Sequence, residues 1–171
     1  MRAIQLIMPA FLFCLIPAYT YACNMQQLSF GSSIDAVATA YQLDTLGANI
    51  YGETELVGRG TQLCDDLPSD SIAIFTFLYN QLVQVKLDRR NSKDTLLAFA
   101  KEHFDAPADT DDEAKTTRMF DPESPIQTVI YRVQRYREDE EEEMITITSK
   151  NHEALFKKIA KEQKSGIASD E

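Results

Sequence analysis

The chain has no tryptophan, two histidines, three cysteines and six glycines in 171 residues. Each shortage removes a kind of chemistry. His103 and His152 have no His or Cys at the spacing a zinc site needs. No Gly-x-Ser-x-Gly segment is present to form the nucleophile turn of an α/β hydrolase. The segment Gly58-Arg59-Gly60 is too short for a phosphate-binding loop, and no Lys follows it. After Ala18 no run approaches the roughly 20 apolar residues that a membrane-spanning helix needs. Positive charge is scarce too: 17 Lys and Arg stand against 27 Asp and Glu, a net charge of −10. That balance argues against nucleic acid and against anionic membrane surfaces. It fits a soluble protein, or one whose partner presents a basic surface.

What is present begins with Met1-Arg2 and an apolar stretch from Ile4 to Ala18, broken by Pro9 and Pro17. A basic start, a short apolar run and small residues at its end are the marks of a secretory signal peptide. The prolines argue against a continuous buried helix. Thr20-Tyr21-Ala22 supplies small residues three and one before a cut after Ala22. Residues 1–22 therefore read as a signal peptide and the protein as exported, to the periplasm or the medium. The exported part keeps Cys23 and Cys64, which pair most simply with each other in an oxidising compartment. Closing that loop stabilises by about 4 kcal/mol in chain-entropy terms. The alternative is a lipid on Cys23, anchoring the domain to a membrane and leaving Cys64 unpaired. Thr20 and Tyr21 depart from the aliphatic and small residues of a lipoprotein signal, which favours the bridge.

Hydrophobic periodicity sets out the order helix, hairpin, helix, hairpin, helix. Ser32 caps the first helix, Asp35 completes a capping box, and Ile34, Val37, Ala38 and Tyr41 form its apolar face. From Gly47 to Gly60 the chain is glycine-punctuated, with short strand-like pieces at most. "SIAIFTFLYNQLVQVKLD", residues 71 to 88, reads as two strands about a tight turn at Asn80-Gln81. Asn91 or Ser92 caps a helix over 93–104, with Leu96, Leu97, Ala100 and Phe104 buried, and Pro107 stops it. "QTVIYRVQRYR" and "EMITITS" alternate as a second hairpin. A last helix over 151–164 buries Leu155, Phe156, Ile159 and Ala160 and ends at Gly166. The fold class is α+β: an antiparallel sheet of two hairpins with helices packed on one face, arranged as a tandem helix–hairpin repeat. Its units are 23–90 and 91–150, followed by the helix 151–164 and a flexible tail, 165–171.

The units also carry a resemblance. "FGSSIDAV" resembles the Gly-x-Ser/Thr-x-x-x-Val helix start of small bacterial envelope modules. These include the small lipoprotein of the outer-membrane β-barrel assembly machinery and the tandem-repeat β-lactamase inhibitor proteins. "AIFTFLYNQLVQVKL" is similar to their hairpin. "HFDAP" resembles the Tyr-Gly-x-Pro that ends their helix, with Asp105 in place of the Gly. Such modules act by protein–protein contact, so the resemblance implies no catalytic residue and no cofactor.

Two clusters of functional groups remain. Glu138 to Glu143 are six consecutive carboxylates. Hard cations take carboxylate oxygens, but neighbours on an extended strand point to opposite sides. The run reads as a solvated hairpin turn or the outer ends of two strands, with Arg135 and Arg137 as partial neutralisers, and a cation or basic-partner patch is the alternative. "DTDDE", 109 to 113, lacks a calcium loop's glycine and closing acid, which here are Ala114 and Phe120. The second cluster is Tyr131, Arg132, Arg135, Tyr136 and Arg137, the one basic-aromatic patch in an acidic chain. Alternation puts Tyr131, Arg135 and Arg137 on one face and Arg132 and Tyr136 on the other. Ordinary cross-strand pairing with the acidic run accounts for them; as Tyr and Arg they also suit an interaction surface. The expected function is a non-enzymatic envelope protein that acts by protein contact, through a sheet face or a strand edge. The alternatives are a secreted inhibitor or effector docking on an enzyme, and a small periplasmic hydrolase or metal-binding protein.

Overall fold

The structure is a computed structural model that describes residues 29–48, 52–90, 95–105, 116–137 and 140–167, without the side chains of 44–48, 137, 166 and 167. Helix α1 spans Ile34–Tyr41. Its cap is Ser33, whose hydroxyl accepts from the Ala36 amide at 3.3 Å. Ser32, the expected cap, is used by the sheet instead. The Leu82 amide donates to its carbonyl at 2.9 Å, and the Gly31 amide donates to the Leu82 carbonyl at 2.8 Å.

Strands β1 (Asp44–Ala48), β2 (Glu53–Arg59), β3 (Ile72–Leu78) and β4 (Gln81–Arg90) form one meander, with a short helical turn α2 (Gly60–Leu63) inserted before β3. Helix α3 (Thr95–His103) leads to a second meander, β5 (Thr117–Phe120), β6 (Gln127–Arg137) and β7 (Glu140–Ser149). A 3₁₀ turn, Lys150–His152, leads into α4 (Glu153–Ile167). The seven strands of the described residues join in one antiparallel sheet of order β1-β2-β3-β4-β7-β6-β5. The last strands of the two meanders therefore meet at its centre. The α+β class stands, but the sheet is larger than two hairpins.

Alternation sorts the strands into two faces. Phe75, Val85, Leu87, Val129, Tyr131, Ile145 and Ile147 are buried on one face, against Val37 of α1 and Leu96, Phe99 and Ala100 of α3. Leu78 and Val83 lie on the other face at one end, where Ile159 of α4 packs on them with Leu155 and Phe156. Helices therefore cover both faces, most of one and only one end of the other, which corrects the one-faced arrangement. A bulge makes this possible. The register passes from Thr76↔Gln84 to Phe77↔Leu82, skipping Val83, so Leu82 and Val83 are both buried. In α4, Ala160 is exposed and the helix continues through Gly166 to Ile167.

The turn between β3 and β4 is Tyr79-Asn80, one residue earlier than expected. Both residues have positive φ, 50° and 64°, as a type I′ turn requires. For a tyrosine that conformation costs roughly 1–2 kcal/mol, and its surroundings fix it. The Tyr79 amide donates to the Gly52 carbonyl at 3.0 Å, its hydroxyl donates to Glu162, and the Lys158 ammonium lies 3.8 Å from its ring centroid. Asn80 turns its side chain to α1 and accepts the Ile34 amide at 3.0 Å.

Glu143 joins the sheet to α3. It is fully buried, accepts the Thr95 and Leu96 amides at 3.2 Å each, and accepts the Tyr131 hydroxyl at 2.9 Å. A carboxylate at a helix N-terminus meets free amides and the positive end of the helix dipole. The expected caps, Asn91 and Ser92, lie outside the described residues. Cys64 is buried and disulfide-bonded. Cys23, and so the pairing of the two, lies outside the described residues, as does the expected signal peptide.

Two outcomes test this packing by urea denaturation. Glu143→Ala should cost about 3 kcal/mol by stranding two amides and a hydroxyl, and Glu143→Gln should recover much of that. Equal stability of Glu143→Ala and the unaltered protein would show the cap to be dispensable. Gly60→Ala should cost about 1–3 kcal/mol, because a Cβ there would overlap Ser71 Oγ where the Gly60 amide donates to the Ser71 carbonyl at 2.8 Å. Adding Ser71→Ala should restore part of it.

Candidate functional site

The face not covered by α1 and α3 is built from side chains that the register aligns in rows. One row crosses six strands as Val57, Ile74, Lys86, Thr146, Ile130 and Met119. The next crosses as Arg59, Ile72, Asp88, Met144, Arg132 and Thr117. Ile72 is 47% exposed, Met119 48% and Tyr136 57%, and all three lie on this face. Exposed large apolar side chains gathered on one face mark an interaction surface more than scattered ones do.

At the centre of the face lies a polar network. Lys86 Nζ is 3.0 Å from Asp88 Oδ2. The Tyr136 hydroxyl donates to Glu142 Oε2 at 2.6 Å, and Arg90 Nε lies 3.7 Å from Glu142 Oε1. The Asp88 and Glu142 carboxyls lie close enough to act on each other. Burial pushes the Asp88 carboxyl above its ordinary range, with Glu142 adding to the effect and Lys86 opposing it. The Tyr136 hydrogen bond holds Glu142 below its ordinary range. The same bond raises the Tyr136 phenol. Of the two carboxyls, Asp88 is therefore the one that takes up a proton first as pH falls. Paired carboxyls beside a Lys and a Tyr are components of acid–base chemistry, yet here each binds another member of the network. The arrangement ties β4, β7 and β6 together across the open face.

The sequence-derived residues are divided by the structure. Tyr131 is 1% exposed and belongs to the core, so it is withdrawn from the interaction surface; its hydroxyl faces Glu143, not solvent. Arg132, Arg135 and Tyr136 are exposed. Arg135 pairs with Glu141 at 2.9 Å, on the helix-covered side. The register shifts between Arg135 and Arg137, and Tyr136 at that irregularity reaches Glu142. The side chain of Arg137 lies outside the described residues. In the acidic run, Glu138 and Asp139 also lie outside them. Glu140 to Glu143 form the outer end of β7 with Arg135 paired to Glu141, as the strand-end reading expects, but Glu142 and Glu143 are buried toward opposite faces and not solvated. Lys86, Asp88 and Arg90 were missed as a group with Glu142, because only cross-strand register brings them together.

Other groups add no chemistry. Ser149 Oγ lies 2.7 Å from His152 Nδ1, but Ser149 is buried and the pair spans three residues around the 3₁₀ turn. Among the described residues no group of three or more His, Cys, Asp or Glu could hold a metal ion. No helix among them is long and apolar enough to cross a membrane.

The direction of the Asp88 shift gives a test. A group whose pKa is raised on folding adds stability in acid, below its unfolded value, and loses it as pH rises through the folded value. At neutral pH and above, the ionised Asp88 carboxylate therefore weakens the fold. Asp88→Asn removes that charge and sets an amide donor beside Glu142. It should raise Tm at pH 8 by about 2–4 °C and give no gain at pH 3, read by circular dichroism melts. Destabilisation at pH 8 with little effect at pH 3 would show that the ion pair with Lys86 dominates instead.

No known protein family, no curated protein and no solved structure matches this chain, and the reading of its site rests on the geometry above.

Proposed function

We propose that this chain is an exported, non-enzymatic protein-binding module that works through the open face of its sheet. One observation carries the reading: Ile72, Met119 and Tyr136 are exposed together on the face that α1 and α3 leave uncovered. The opposite face is sealed as core, so the two faces have different tasks. Six paired strands hold the rows in fixed positions, which limits the ordering cost of docking. The strand order supports the tandem reading, since a helix and a meander on each side, α1 with β1–β4 and α3 with β5–β7, meet at β4 and β7. That arrangement accords with the resemblance to envelope modules. Export through residues 1–22 leaves Cys23 as the cysteine available to Cys64.

The test compares partner capture from envelope extracts by the unaltered protein and by an Ile72→Asp, Met119→Asp variant. Exposed substitutions of this kind usually change stability by less than about 0.5 kcal/mol, so folding should persist. Capture should fall at least tenfold, while Glu102→Lys on the exposed side of α3 leaves it unchanged. Undiminished capture by the open-face variant would refute the reading.

A further inference from the structure

We infer that the open face takes an acidic protein segment bearing apolar side chains, although the protein is itself acidic. This rests on the protein-binding reading and names the chemistry of the partner. The chain carries a net charge of −10, yet the centre of the open face has the opposite sign. Among the described side chains, the three middle rows hold Arg59, Lys86, Arg90 and Arg132 with Asp88 and Glu142, while Glu55 and Glu140 lie in the rows on either side. Both acids are turned inward and partnered, with side chains 15% and 8% exposed. The Arg90 side chain is 83% exposed, and Arg59 and Arg132 are exposed with no ion pair among the described residues. A partner thus meets three guanidinium groups set around Ile72, Met144 and Met119.

The spacing defines what fits. Arg59 on β2 and Arg132 on β6 sit in one row four strands apart, roughly 19 Å, with Ile72 and Met144 between them. Arg90 follows Asp88 by two residues, about 7 Å along the strand. Guanidinium forks pair bidentately with carboxylates. A segment with carboxylates at such intervals and apolar side chains between them would satisfy all three. A lysine-bearing partner would meet uncompensated like charge, which reverses the expectation of a basic partner. An anionic membrane carries the right charge as well, but it spans far more than the patch and would face the net negative charge of the whole molecule. A segment confined to the patch stays within about a Debye length, 8–10 Å, of the arginines.

The test uses the full exported chain, isotope-labelled, and three probes. These are the peptide acetyl-Glu-Leu-Glu-Val-Glu-Leu-Glu-amide, its counterpart with Lys for Glu, and vesicles of three parts phosphatidylcholine to one of phosphatidylglycerol. The acidic peptide should bind at least tenfold tighter than the lysine peptide and shift the amides of Ile72, Met144, Arg132 and Met119. Combining Arg59→Glu with Arg132→Glu should reverse the preference, and Arg132→Gln should weaken the acidic peptide several-fold without unfolding risk. Equal or tighter binding of the lysine peptide to the same amides would overturn the acidic partner and leave the open face as a docking surface. Shifts confined to α1 and α3, or no binding of either peptide, would overturn both. Retention by the vesicles without peptide binding would assign the arginines to lipid headgroups and overturn the proposal.

Discussion

The antiparallel pairing of β4 with β7 is the interaction on which the rest of the structure depends. It runs from Gln84↔Thr148 to Arg90↔Glu142 and fuses two meanders that would otherwise be separate small sheets. On the covered face it sets Val85 beside Ile147 and Leu87 beside Ile145, all fully buried. On the open face it sets Lys86 beside Thr146 and Asp88 beside Met144. A slip of one residue would exchange every side chain of β7 between the faces. Glu143 would leave the N-terminus of α3, and Glu142 would leave Tyr136 and Asp88. Two adjacent carboxylates, each with its own partners on its own face, therefore favour one register over its neighbours.

Parts of this were legible in the sequence. β3, β4, β6 and β7 are long enough for their alternation to show, and α1, α3 and α4 carry apolar residues at helical spacing. β2 was hidden because Leu56 is its only buried large apolar residue, with Thr54 and Gly58 as its neighbours on that face. β5 has four residues, too few for a period. Tyr79 gave no sign of a positive φ, since the contacts that fix it come from Gly52 and from Lys158 and Glu162 of α4. Cross-strand pairing of the Tyr and Arg cluster with the acidic run was legible, and Tyr131 with Glu143, Arg135 with Glu141 and Tyr136 with Glu142 form it; that Tyr131 and Glu143 are buried was not legible. In both cases the deciding contact joins β6 or α3 to β7, and local pattern carries no register.

The two faces also explain how an acidic chain can present a basic patch. Burying Glu143 at α3 and tying Glu142 and Asp88 into the central network removes three carboxylates from view. Arg59, Arg90 and Arg132 stay extended into solvent. Net charge is thus a poor guide to the surface that matters; the register decides which charges are spent within the fold. The same network ties β4, β7 and β6 together beneath the exposed apolar side chains, so under the proposed function the docking surface would exist before any partner arrives.

The central claim is that the two halves present one continuous working face. Hydroxyl-radical footprinting of the protein, free and with its captured partner, tests it most directly. The account predicts that Ile72 from the first meander and Met119 and Tyr136 from the second are labelled readily in the free protein and lose labelling together in the complex, with Phe75 unlabelled in both. Protection of one half alone, or slow labelling of all three in the free protein, would contradict it.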